Sequence, residues 1–143
     1  LIGNMLALAV LGQILLERHG PGQHGAWRFA LVYLAAILGG GAAFGLLTRS
    51  AVPMVGASGA IFGLAGAGLI WRWQDQGAAD LGHLRRLAEL CGGLAGLIAI
   101  NVVMWWSQDG LLAWQTHLGG TVAGMVVAML WPAQRPILAK MRS

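Results

Sequence analysis

Five apolar segments, at roughly 1–16, 27–47, 54–73, 87–106 and 111–131, occupy most of this chain and restrict the folds open to it. A backbone surrounded by hydrocarbon must satisfy its own N–H and C=O groups, so such segments become helices or close into a barrel. The second, fourth and fifth have the ~20 residues a helix needs to cross a ~30 Å hydrocarbon core. The first looks cut off at its start. The third is interrupted near Pro53 and its glycines, which leaves a helix from about Ser58 to Trp73. At 1.5 Å per residue that helix is about 24 Å long, too short to reach both membrane surfaces. One of its ends must lie below the surface, where protein or a water-filled cavity has to surround it. The expected fold class is an all-α, polytopic membrane helix bundle.

Composition agrees. Hydrophobic residues make up 57% and charged residues 10%, with a mean hydropathy of +0.69, against about 25% charged in soluble domains. The net charge of +4 does not point to nucleic acid, because the basic residues are scattered between apolar runs where topology explains them. Arg18, Arg28, Arg72, Arg85, Arg86, Arg135, Lys140 and Arg142 fall on one side of the segments, and Arg49 alone on the other. By the positive-inside rule the first side is cytoplasmic, which puts the C-terminus and a basic tail at 132–143 inside. Trp27, Trp71, Trp73 and Trp131 then mark the inner interface, and Trp105, Trp106 and Trp114 the outer one. No Asp, Glu, Lys or Arg lies mid-segment, which argues against a transporter or channel. The single cysteine, Cys91, offers neither an internal disulfide nor metal-ligand spacing. The chain opens without a basic leader or an initiating methionine, as expected of a single transmembrane domain, 1–143, taken from a longer protein. Eight arginines to one lysine, with abundant glycine and alanine, hint at a GC-rich bacterial genome and so at a bacterial inner membrane.

This topology has a chemical consequence. The first, third and fifth segments all enter from outside, and Asn4, Ser58 and His117 lie in their opening turns. Three polar side chains far apart in sequence therefore share one depth. A serine among glycines ordinarily lines a helix contact. Ser58 differs in standing at a helix N-terminus, where unpaired N–H groups carry the positive end of the dipole and can donate to an oxyanion. His117 is the only histidine within an apolar segment; it is either a bridge between helices or a base that accepts and returns a serine proton. Phe62, one turn below Ser58, is placed to stack on the imidazole. Asn4 is the natural second oxyanion donor through its amide. Gly59 and Gly63, and Gly120 and Gly124 on the His117 face, form small-xxx-small pairs that would bring the third and fifth helices together. Gly92 and Gly96 repeat the spacing on the fourth helix and read as packing. Asn101, with no equivalent partner, reads as structural, and Asp109 as loop solvation.

These residues resemble the rhomboid family of intramembrane serine proteases. The resemblance rests on Gly56-Ala57-Ser58-Gly59-Ala60-Ile61-Phe62-Gly63 and His117-Leu118-Gly119-Gly120-Thr121-Val122-Ala123-Gly124. Gly3-Asn4-Met5-Leu6 and Glu17-Arg18 with Gly20, before the Trp27–Tyr33 stretch, add to it. It implies Ser58 as nucleophile and His117 as general base, with Asn4 and the Ser58 N–H in the oxyanion hole. It implies a family core of six helices, so the first would precede Leu1, as would a family histidine four residues before Asn4. Thr116 stands where the family usually has alanine. The implied activity is cleavage of single-pass transmembrane proteins near the outer leaflet, without metal or cofactor. The substrate would enter past the fourth segment, with Met104, Trp105 and Trp106 as its gate. The alternative is a non-catalytic protein of this fold that binds transmembrane helices; loss of Ser58 or His117 would favour it, and both are present.

Overall fold

The computed structural model describes residues 2–19, 23–49, 56–78 and 82–131. Gly20, Pro53 and the basic tail at 132–143 lie outside the described residues, as do the side chains of Glu17, Arg18, His19 and His24. Five helices and no strand are present among them: α1 (Ile2–His19), α2 (Gln23–Leu47), α3 (Ser58–Ala78), α4 (His83–Ser107) and α5 (Trp114–Leu130). The Gly25–Leu47 part of α2 and the whole of α4 are long and apolar enough to cross a membrane.

Small residues line the helix contacts, and the large ones divide between a core that includes Val32, Leu64, Ile70 and Trp71 and the outer surface. Ala36, Ala60, Ala67 and Ala128 are buried, while Leu38, Leu46, Ile98, Trp106 and Leu130 lie open on the outside. Lipid gives no hydrophobic reward for burying leucine, so close backbone approach drives association instead. α5 packs chiefly on α3 and α2, and α4 leans on α3 while barely touching α5. On the α3–α5 seam a Cβ at Gly120 would fall on the Gly59 carbonyl, and one at Gly124 on the Gly63 carbonyl. The expected glycine faces therefore meet.

Three expectations need correction, and one contact face is new. α3 starts at Ser58 but runs five residues beyond Trp73, to Ala78, so at 1.5 Å per residue it is about 31 Å long. Its last turns are polar, and side-chain hydrogen bonds tie them to neighbours: Gln74 donates to the Ala128 carbonyl at 3.3 Å, and Gln76 to Glu89. Hydropathy stops there before helicity does. Trp71 is no interfacial belt residue: it is 1% exposed, and its Nε1–H donates to the Trp131 carbonyl at 3.1 Å. On α4, Gly92 and Gly96 meet nothing, whereas Gly93 packs against Leu69. A second small face was not foreseen, on α2. A Cβ on Gly39 would lie 2.5 Å from the Ala123 Cβ and 2.9 Å from the Gly119 carbonyl oxygen, so α5 is wedged between two small surfaces.

Arginines and aromatic rings gather at one end of the bundle. Arg72 pairs with Glu89 at 2.8 Å and Arg85 with the same carboxylate at 3.2 Å. Arg28 lies over the Trp131 ring and Arg86 over Trp73. At the other end α4 stops because Asp109 (φ 52°) and Gly110 (φ 76°) turn left-handed. The Gly110 N–H caps the Trp105 carbonyl at 2.9 Å.

Candidate active site

The site lies at the opening turns of α1, α3 and α5, as their shared direction requires. Gly56 precedes α3 with φ +124°, a conformation that side chains with a Cβ rarely adopt. The chain enters the helix there in a tight turn, and the Ala57 carbonyl accepts the Ile61 N–H at 3.3 Å. A Cβ on Gly56 would stand 3.8 Å from the Asn4 amide nitrogen and 3.9 Å from the Ser58 hydroxyl oxygen. Asn4 and Ser58 thus flank one small space that the missing side chain leaves open.

His117 comes to Ser58 from α5. Its Nε2 lies 2.8 Å from the Ser58 hydroxyl, and the residue is 1% exposed. The ring lies flat on Phe62, with centroids 4.1 Å apart and planes 1° from parallel. Phe62 is on the Ser58 face of α3 because it is four residues, about one turn, further along. Its contact leaves the imidazole able to slide or turn only in its own plane. Thr121 donates to the His117 carbonyl at 2.7 Å, a tie within α5.

Thr116 explains much of the glycine requirement around the site. Its methyl group abuts Gly59, and both its methyl and its carbonyl abut Gly40, the carbonyl 2.9 Å from where a Gly40 Cβ would lie. The position beside the histidine is thus filled from two helices, and threonine fits because both partners lack side chains.

One site residue escaped the sequence reading. Asn101, taken as structural, places its Oδ1 3.1 Å from His117 Nδ1. An amide oxygen can only accept, so this contact is a hydrogen bond in the tautomer that carries the ring proton on Nδ1. The signal was available: Asn101 lies two turns before the end of α4 at Ser107, the end from which α5 begins, so it shares the level of His117. Beside it, Asn101, Val102, Trp105 and Trp114 line an open cavity of about 290 Å³. Of the expected gate residues, Trp105 therefore lines this cavity, Met104 is half-buried and Trp106 is 80% exposed. Asp109 is exposed in the turn. Among the described residues no three His, Cys, Asp or Glu side chains cluster as metal ligands would.

Fold and site together define a class, a polytopic helical bundle with a serine–histidine pair seated between two helices. Within that class the chain belongs to the rhomboid family: the family model described as Rhomboid domain matches residues 1–133. That family consists in general of intramembrane serine proteases, and with its apolar helices the chain is an integral membrane protein. Searches of curated proteins and of solved structures return no match.

Proposed function

We propose that this protein is an intramembrane serine endopeptidase that cleaves single-pass transmembrane proteins near the outer leaflet, using Ser58 as nucleophile and His117 as general base. The observation that carries the reading is the 2.8 Å contact between the Ser58 hydroxyl and His117 Nε2, on a ring that Phe62 and Asn101 hold in place. In the first step the Ser58 oxygen attacks the scissile carbonyl as its proton passes to Nε2. The oxyanion that forms accepts hydrogen bonds from the Ser58 N–H, at the positive end of α3, and from the Asn4 amide. The imidazolium then protonates the leaving amine, and an acyl-enzyme remains. Water, deprotonated by His117, attacks that ester and releases Ser58. Gly56, Gly59, Gly63, Gly120 and Gly124 let the backbones approach closely enough for this geometry.

A membrane-spanning substrate helix has to reach Ser58 sideways, from the lipid. The α4 side supports such entry, since α4 has no buried residue and barely touches α5. Met104, Trp105 and Trp106 at its end are the proposed gate. In the proposed orientation the C-terminus is inside and the site faces the outer side of a bacterial inner membrane. A fluorescent fluorophosphonate should label the intact protein, and Ser58→Ala or His117→Ala should abolish labelling. Equal labelling of wild type and Ser58→Ala would refute the assignment. Retained binding of transmembrane helices without labelling or cleavage would instead make the protein a non-catalytic helix binder.

A further inference from the structure

A buried imidazole acting as a base needs its second nitrogen fixed. A serine–histidine pair without a carboxylate leaves open which nitrogen carries the proton. Phe62 does not decide it, because stacking restrains the plane of the ring and not its tautomer. The described partners of the His117 ring are Ser58 and Phe62 on α3 and Asn101 on α4. Within the helices around the ring, the charged side chains of α2, α3 and α4 whose contacts are described (Arg28, Arg72, Arg85, Arg86 and Glu89) gather at the opposite end of the bundle. The neutral amide of Asn101 is thus the group that meets Nδ1.

We propose that Asn101 is the positioning residue of this site: its Oδ1 accepts the Nδ1–H of His117 and so keeps the Nε2 lone pair on the Ser58 hydroxyl. The proposal rests on the protease reading and extends it to a third residue, which acts through the histidine and does not touch substrate. It also links α4 to catalysis. That helix is pinned to α3 through Glu89, at the far end from the site. Near the site it meets α5 only slightly, with the Asn101–His117 bond as a polar tie between them. Any tilt of α4 that breaks the bond frees the ring to take the other tautomer. The aligned base thereby depends on α4 being seated.

The test uses the full chain in detergent micelles, with a fluorescent fluorophosphonate as probe and ¹⁵N-histidine NMR to read the tautomer. His117 is assigned by its absence in His117→Ala. In wild type Nδ1 should be protonated and Nε2 unprotonated. Asn101→Leu, close in volume but without an acceptor, should mix the tautomers and slow labelling ~10–100-fold. That is less than the ~10⁴-fold loss from altering a triad carboxylate, because an amide orients without adding charge. Asn101→Asp should restore at least a third of the wild-type rate, since an oxygen returns to the same place. For a transmembrane peptide substrate the loss should fall on kcat and leave KM unchanged.

A wild-type His117 protonated on Nε2 would overturn the proposal whatever the folding of the variants. So would Asn101→Leu labelling at the wild-type rate, an outcome that leaves Ser58 and the protease reading standing. A wild-type chain that is folded, carries the Nδ1–H tautomer and does not label would refute the protease reading, and the catalytic role of Asn101 with it.

Discussion

Ser58 is reactive only through its surroundings, and each neighbour contributes a separable amount. Asn4 reaches the site through one amide nitrogen, beside the space that Gly56 leaves open. On the protease reading Asn4→Ala should lower kcat ~10²–10³-fold, the usual cost of one oxyanion donor, with substrate KM little changed. A single-turnover cleavage assay would check this, and a loss confined to KM would move Asn4 from the oxyanion to substrate binding. Phe62 acts on the other partner. Because the imidazole lies flat against its ring, Phe62→Ala should both loosen the bundle and slow acylation, whereas Phe62→Tyr should keep the stack and most of the rate. Labelling rates compared at equal folded fraction separate the two effects.

At the scale of the helix, the question is which glycines are structural. A Cβ on Gly124 would fall on the Gly63 carbonyl, and one on Gly63 would meet the Ala36 Cβ of α2 and the Gly120 carbonyl, so no flexible side chain can yield at either position. Gly124→Val should therefore cost at least the ~1–3 kcal/mol of an overpacked core and abolish labelling by parting α3 from α5. Gly96, with nothing near it, shares the spacing but not the surroundings. Gly96→Ala should be neutral or up to ~1 kcal/mol more stable, from helix propensity alone. Thermal unfolding in detergent distinguishes them, and equal shifts for the two would contradict the packing described. Spacing states that two glycines share a face; it does not state that another helix lies against that face.

For the whole molecule, the decisive property is direction. Arg28, Arg72, Arg85 and Arg86 meet at one end, and the serine–histidine pair lies toward the other. With Cys91 replaced by alanine, a cysteine at Ser107 should react with a membrane-impermeant maleimide in intact cells. One at Gly82, exposed between α3 and α4, should react only after the membrane is opened. The reverse pattern would put the site on the cytoplasmic side. Much of this architecture is legible in the chain itself: the five helices, the shared level of Asn4, Ser58 and His117, and the meeting of Gly59 and Gly63 with Gly120 and Gly124. Those features follow from periodicity and from parity of direction, which are properties of a linear string. The second small face on α2, the inward turn of Trp71, the open surroundings of Gly92 and Gly96, and the hydrogen bond from His117 to Asn101 depended on the tertiary structure. Each turns on how helices are rotated and which of them are neighbours, and hydropathy fixes a residue's depth in a bilayer without fixing the direction in which it points.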